Sequence, residues 1–390
     1  MWFSDWLIPT GLSKVSRYLI QGLRKDFEIA VMTPYMAGSP LILDGLLIFP
    51  MLRFDRTLFL SALERFDPDL VIAYISHFIP PYNEISPLVK EYGAKLLWYV
   101  PVEYDEVSPS FCFPLIGANL IATPTHAGKR VLEEFIPEDF IHVVPHGVDR
   151  AIYKPHNPKP KPQPLSDLFV FGFVGKNNFR KDLPALIEAF ARLSPEAKEK
   201  SCLYLHTPKK STAGEVVYWP LQWLIVKNGL EAKVLAPENL TMWEGVEEEK
   251  MGEIYGMMDC LVHATMGEGF CLPVLEAMAC GIPVIASKNT SLPEVVEDAG
   301  ILVECDPEPW FTREGWVHHR TRISALRDAM ELVFKDEELR GKLARRGLER
   351  ASEFTWEKAC EEMKKAIEKA MKHHRLGRLR VKNAEGVLSA

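Results

Sequence analysis

Short apolar runs punctuate the first half of the chain at Leu70–Ile75, Lys95–Val100, Asn119–Thr123 and Ile141–Val144, and loops or stretches of helical period separate them. Runs of this kind, apolar throughout rather than alternating, predict strands buried on both faces of a parallel sheet. The same rhythm returns in the second half at Leu168–Val174, Cys202–His206, Cys260–Ala264 and Ile282–Ala286. Helical spacing of Leu12, Val15, Leu19 and Leu23 follows Pro9-Thr-Gly11, and Leu186, Phe190 and Leu193 follow Asp182-Leu-Pro184. Asp182 is suited to cap that second helix and Pro184 to its first turn. Towards the C-terminus Trp356, Cys360, Met363, Ile367 and Met371 form one apolar stripe behind Thr355, a predicted cap, so a long amphipathic helix is expected there. From His373 onward the residues are polar and basic, and a frayed tail is expected.

The clearest boundary is Lys154–Pro164, where alternating prolines remove the backbone donors that helix or sheet would need. The pattern predicts an α/β protein of two doubly wound, Rossmann-like domains facing a cleft. Their expected limits are 1–153 and 165–354, with 154–164 as a Pro-rich linker, a closing helix at about 355–372 and a basic tail at 373–390. The apolar run Leu41–Leu52 is expected to be buried core, with a surface for a lipid-linked acceptor as the alternative.

Composition narrows the classes. At about 150 residues per domain, 390 residues suit two or three domains. A chain 47% hydrophobic and 25% charged is not disordered. With 46 Lys and Arg against 53 Asp and Glu the net charge is −7, which disfavours nucleic acid as the main partner. The seven cysteines show no CxxC pair and are expected to be reduced core residues. Cys260 and His263 are three apart, but on an apolar run that favours a structural role over zinc. The pairs His318-His319 and His373-His374 are expected at the solvated surface. No basic, apolar leader opens the chain, and no apolar run nears the roughly 20 residues that span a bilayer. A cytoplasmic protein is expected, with peripheral contact at the inner face of a membrane as a variant.

Candidate chemistry concentrates in Met266–Ala286, where a strand ends, a loop with glycines turns, and a helix starts near Pro273. Glu268 lies in the loop between Gly267 and Gly269, and Glu276 lies in the first helical turns. Loop amides and a helix N-terminus suit an anion. Spacing alone leaves two readings open. The carboxylates stabilise the helix end, worth about 0.3 to 1 kcal/mol, or they accept hydrogen bonds from sugar and ribose hydroxyls. In Phe173–Leu183 a strand is followed by Lys176, Arg180 and Lys181, cations that suit a diphosphate or a solvated loop.

Glu268 and Glu276, with seven residues between them in Glu-Gly-Phe-Cys-Leu-Pro-Val-Leu-Glu-Ala-Met-Ala-Cys-Gly-Ile-Pro-Val-Ile-Ala, resemble the signature of family-4 retaining glycosyltransferases of the GT-B fold. The resemblance continues through Ser291–Val296 and Ala299–Val303, and Phe354-Thr-Trp-Glu-Lys358 is similar to the start of the family's closing helix, which crosses back to the first domain. It is strong in the second domain and weak in the first. It implies a nucleotide-sugar donor held mainly by the second domain, a carbohydrate or lipid-linked acceptor held mainly by the first, and neither metal nor other cofactor. Lys181 then binds the diphosphate with Arg180 and Lys176 beside it, and Lys176 stands where the family usually has arginine, keeping the charge without the bidentate fork. Glu268 holds hydroxyls of the transferred sugar and Glu276 those of the ribose. Gly269, Phe270, Cys271 and Leu272 line the donor, and Val246 borders its base.

In the first domain Pro9–Lys14 is similar to the family's glycine loop near the donor phosphates, with Gly11 its key residue and room for only a very short strand before it. His77 matches a position where the family often has a histidine touching the donor sugar, a loop histidine being the alternative. Pro145–Asp149 is similar to the segment that ends the first domain, with His146 in place of the common asparagine and expected to be hinge structure. Glu103 is expected to be a loop residue, a place facing the cleft being the alternative. With no second carboxylate evident beside Glu268, same-face attack assisted by the departing phosphate is the expected route to retention. An epimerase or phosphorylase of the same fold, or a nucleotide-sugar-binding accessory protein without turnover, are the alternatives.

Overall fold

The computed structural model describes residues 1–390 apart from 77–80, 164, 210–217, 238–239, 242–244 and 381–390. The first sheet is built from β1 (Trp2–Ser4), β2 (Ala30–Pro34), β3 (Leu41–Leu43), β4 (Leu46–Met51), β5 (Leu70–Tyr74), β6 (Lys95–Tyr99), β7 (Leu120–Thr123) and β8 (Ile141–Val143), in the order β3-β4-β2-β1-β5-β6-β7-β8. Only the β3 to β4 pairing is antiparallel. The three residues of β1 suffice because they sit centrally, with Trp2 in register with Val31 on one side and Ile72 on the other. The Leu41–Leu52 run forms the edge strands: Leu46, Ile48, Phe49 and Met51 are buried, as expected of core, while Ile42 and Leu52 are exposed.

The second sheet holds β9 (Phe169–Val174), β10 (Ser201–His206), β11 (Val234–Leu235), β12 (Cys260–His263), β13 (Val284–Ser287) and β14 (Ile301–Val303), all parallel, in the order β11-β10-β9-β12-β13-β14. Connections leave β9 and β12 in opposite directions, and ligands of open α/β sheets bind beyond the carboxyl ends of strands at such a switch point. The two loops standing there are 175–182 and 264–271. After β14 a hairpin of β15 (Trp310–Phe311) and β16 (Val317–His318) reaches the first domain, where Val317 bridges Glu106 and Trp316 packs on Tyr104 and Phe111.

The helix Gly11–Leu23 is capped by Thr10, whose hydroxyl accepts from Ser13 N, and buries Val15, Leu19, Ile20 and Leu23. The closing helix spans Trp356–Lys372 with Thr355 accepting from Lys358 N. It buries Trp356, Cys360, Met363 and Ile367, each large side chain contributing about 1.5 to 3 kcal/mol. Met371 departs from the predicted stripe: it is exposed and Ala370 is buried in its place. The helix lies against the first one so closely that a side chain at Gly22 would run into Cys360.

Two further expectations are corrected. Residues 373–380 are not frayed: Leu376 is buried, its amide donates to Ala118 O at 2.7 Å, and Arg380 N donates to Phe135 O at 2.6 Å. The polar tail satisfies backbone groups at the margin of the first sheet, and residues 381–390 lie outside the described part. His318 is not solvated but 2% exposed, because its Nδ1 meets Met266 O at 3.1 Å. His373 and His374 stack on each other and on Phe140, His373 half-buried and His374 exposed as expected. The seven cysteines are free, and all but Cys305 are buried. The described residues of the linker form no helix or strand, and Lys159 and Lys161 fasten it to Asp259 at 2.9 and 2.5 Å. No helix among the described residues is long and apolar enough to cross a membrane.

Candidate active site

Beyond β12 the chain runs through Thr265 and Met266 into Gly267-Glu268-Gly269. It turns at Cys271, which adopts a left-handed φ of 83° and starts the helix Leu272–Ala279 with no side-chain cap. Such backbone costs an L-residue roughly 1 to 3 kcal/mol and concentrates at functional sites. Neither glutamate serves the helix end. Glu268 N donates to Thr290 Oγ1 at 2.9 Å. Its carboxylate takes the Lys181 ammonium, Arg180 Nη1 at 2.7 Å, His263 Nε2 at 3.0 Å and Thr265 Oγ1 at 3.1 Å. Glu276, further along the helix, accepts from Tyr255 OH and from Lys14 Nζ, both at 2.7 Å.

Lys181 follows β9 and is 5% exposed. Asp182 was expected to cap the helix Leu183–Ala191, but it makes no side-chain cap bond. It instead takes Arg320 Nε at 3.2 Å and Nη2 at 2.5 Å. A charge-assisted fork outcompetes a single local amide. The pairing also ties the hairpin segment to the basic loop.

Burial alone would raise the Glu268 carboxyl, but Arg180 and Lys181 outweigh it and hold the group well below its ordinary range. Burial, helped by Lys181, pushes the His263 imidazole down to about 4, so it is neutral at pH 7. Lys14 shows the opposite balance: burial lowers the ammonium, Glu276 and Glu248 outweigh that, and the group ends raised.

Of the residues singled out in the sequence, Glu268, Arg180 and Lys181 converge in direct contact. Lys176 is exposed at the end of β9, where its charge acts on Asp5 of the first domain. Gly11 opens the first helix opposite Leu272, whose Cδ1 lies 4.0 Å from where a Cβ would stand. Gly245, next to the half-buried Val246, lies against Pro9. The glycine loop, the Val246 loop and the start of the Leu272–Ala279 helix therefore meet. Phe270 is 3% exposed, packed on His146 and Phe354 within the joint between domains. Gly267 and Gly269 have no room for a side chain because the carbonyl of Glu103 and Pro101 lie on them. His77 lies outside the described residues.

The sequence did not single out Lys14, Glu248, Thr265 or Thr290, it gave His263 a structural role, and for Glu103 it favoured a loop residue over one facing the cleft. Lys14 Nζ reaches Glu276 and Glu248, the latter at 3.2 Å, from the polar side of an ordinary amphipathic helix. Glu103 Oε1 takes Arg180 Nη2 at 2.6 Å. Neither partner is near in sequence. Cys260 and His263, an odd spacing apart on β12, point to opposite faces and cannot share a metal. His263, Glu268 and Cys271 do offer ligand atoms within 4.8 Å of one another, but an ion there would have to displace Lys181 and Arg180 from Glu268.

Known proteins agree with this architecture. A sucrose-phosphate synthase from Thermosynechococcus elongatus superposes with a TM-score of 0.76 at 17% identity, over 94% of this chain and 97% of that one. Anabaena HepE, solved in complex with UDP-glucose, gives 0.72 at 16% identity over 94% and 98%. The chain has the GT-B fold. Residues 228–350 match the model of the family described as glycosyl transferases group 1, and that range includes Glu268 and Glu276. O-antigen chain mannosyltransferase B of Escherichia coli is 30% identical over 186 residues, 47% of this chain and 42% of that one. MMP alpha-(1->4)-mannosyltransferase of Mycolicibacterium hassiacum is 26% identical over 304 residues, 77% and 62% of the two chains. The chain thus spans about half the length of the curated relatives it matches.

Proposed function

We propose that this GT-B chain is a retaining hexosyltransferase that moves a sugar from a nucleotide sugar to a carbohydrate or lipid-linked acceptor. The observation that carries the reading is the cluster at the switch point of the second sheet, where Glu268 is clamped by Arg180 and Lys181 beside a helix N-terminus. The similar mannosyltransferases and the UDP-glucose complex of a similar fold support it.

In this reading the incoming diphosphate draws Lys181, Arg180 and Lys176, which stabilise the charge that develops on the leaving phosphate. Glu268 then exchanges its cations for sugar hydroxyls, Glu276 exchanges Lys14 for ribose hydroxyls, and Val246 borders the base. Gly11 allows backbone near the phosphates, and His77 touches the sugar. The basic loop supplies the positive charge that a divalent ion gives elsewhere, so no metal takes part. Attack comes from the face of the departing phosphate. A peripheral seat at the inner membrane face would serve a lipid-linked acceptor.

The test is a panel of UDP- and GDP-linked hexoses, read by melting temperature and by release of nucleoside diphosphate with methyl α-hexosides as acceptors, with and without EDTA. One donor should stabilise the fold by mass action, about 2.7 kcal/mol at a hundredfold excess over Kd, and should be consumed equally in EDTA. A panel that neither stabilises the protein nor is consumed overturns the reading, and activity restored only by manganese or magnesium overturns its metal independence.

A further inference from the structure

Glu103 leaves β6 on the segment Val100-Pro101-Val102-Glu103, the part of the first domain that rests on Gly267 and Gly269. Its carboxylate and that of Glu268 share one guanidinium: Arg180 gives Nη2 to Glu103 at 2.6 Å and Nη1 to Glu268 at 2.7 Å. Glu268 has further partners in Lys181, His263 and Thr265, and only 5% of its side chain is exposed. Glu103 keeps 28% of its side chain open. Burial still pushes its carboxyl up, against the pull of Arg180. A diphosphate competing for Arg180 would therefore release Glu103, the more exposed and less firmly held of the two, where the first domain rests on the Glu268 loop. A carboxylate stripped of its cation there is a strong hydrogen-bond acceptor.

We propose that Glu103 is the catalytic carboxylate of the acceptor side, receiving the acceptor's attacking hydroxyl and taking its proton. The inference rests on the transferase reading and adds to it a named base. As the hydroxyl oxygen bonds to the anomeric carbon, its O–H bond breaks and the proton passes to Glu103. The sugar–phosphate bond breaks, its electron pair leaves with the nucleoside diphosphate, and Glu103 later returns the proton to water. Because Glu103 and Glu268 share Arg180, a hydroxyl held at Glu103 stands beside the guanidinium assigned to the phosphate, which fits attack from the phosphate's side of the sugar.

The test uses the donor that the wild-type chain consumes, with a methyl α-hexoside as acceptor and sodium azide as a nucleophile that carries no proton. Glu103→Gln should lose transfer to the hexoside by about 100-fold or more while binding the nucleoside diphosphate at least as tightly as wild type, because it no longer competes for Arg180. Glu103→Asp should keep part of the transfer, and azide should restore donor consumption in Glu103→Ala with a glycosyl azide as product. Unchanged transfer in Glu103→Gln overturns the proposal. A loss of diphosphate affinity, or a defect that azide does not relieve, overturns it too by assigning Glu103 to the placement of Arg180. A wild-type chain that consumes no donor overturns the transferase reading and this one with it.

Discussion

Lys14 crosses from the first domain to occupy the carboxylate of Glu276, with Tyr153 OH at 2.6 Å completing its surroundings. Lys14→Met keeps the length of the side chain and removes the charge, leaving Glu276 with Tyr255 alone. Breaking a buried pair in this way costs about 3 to 5 kcal/mol, so the unliganded variant should melt earlier. If ribose hydroxyls compete with Lys14, the rise in melting temperature on adding UDP or GDP should be larger in the variant, whereas a smaller rise would make Lys14 a nucleotide contact. The two glutamates should separate as well. Glu276→Gln should weaken binding of the bare nucleoside diphosphate. Glu268→Gln should lower kcat and leave that affinity nearly unchanged, because the diphosphate carries no sugar. Equal losses of diphosphate affinity in both would reject the division. Glu268, Glu276, Arg180 and Lys181 were legible in the sequence because a local motif carries each. Lys14 was not, since it meets a partner 262 residues away and nothing beside it announces the meeting, and for Glu103 the sequence offered a place at the cleft but no partner.

At the scale of elements, the closing helix and the first helix depend on Gly22, whose missing side chain makes room for Cys360. Gly22→Ala should gain helix propensity yet destabilise the protein by about 1 to 3 kcal/mol through overpacking. Adding Cys360→Ala should recover part of that loss, and denaturant midpoints of the single and double variants check the coupling. Thr355→Ala should cost about 1 kcal/mol through the lost cap. Both helices were readable from their period and caps. The strap at 373–380 was not, because two isolated leucines, Leu376 and Leu379, and backbone partners such as Ala118 hold it, and neither makes a periodic pattern. Asp182 misled for a related reason: cap chemistry is local, and Arg320, which takes the carboxylate, arrives from 138 residues away.

For the whole molecule, four buried histidines each weaken the fold in acid. Burial pushes His146 down to about 3 and His206, His263 and His318 to about 4, from an ordinary 6.5. Each stays neutral in the folded chain while the unfolded chain takes up a proton below pH 6.5. Stability should therefore fall as pH drops from 6.5 towards 4, by about 1.4 kcal/mol per unit for each histidine. Glu268, depressed below the carboxylate range, adds its loss only at still lower pH. Urea midpoints at pH 7.5 and 5 check this, and a flat profile would refute it. The two-sheet architecture itself was legible, since apolar runs and a proline joint survive in any single sequence. The way the halves meet was not.

That meeting has a consequence for recombination. Gly267 and Gly269 belong to the second domain, yet the atoms that forbid them side chains belong to Pro101 and Glu103 of the first. The loop carrying Glu268 is thus shaped against a surface it does not encode. A chimera that joins residues 165–354 to another chain's first half inherits the glutamates but not the ledge that positions them, and it works only if the donor half presents an equally close backbone there.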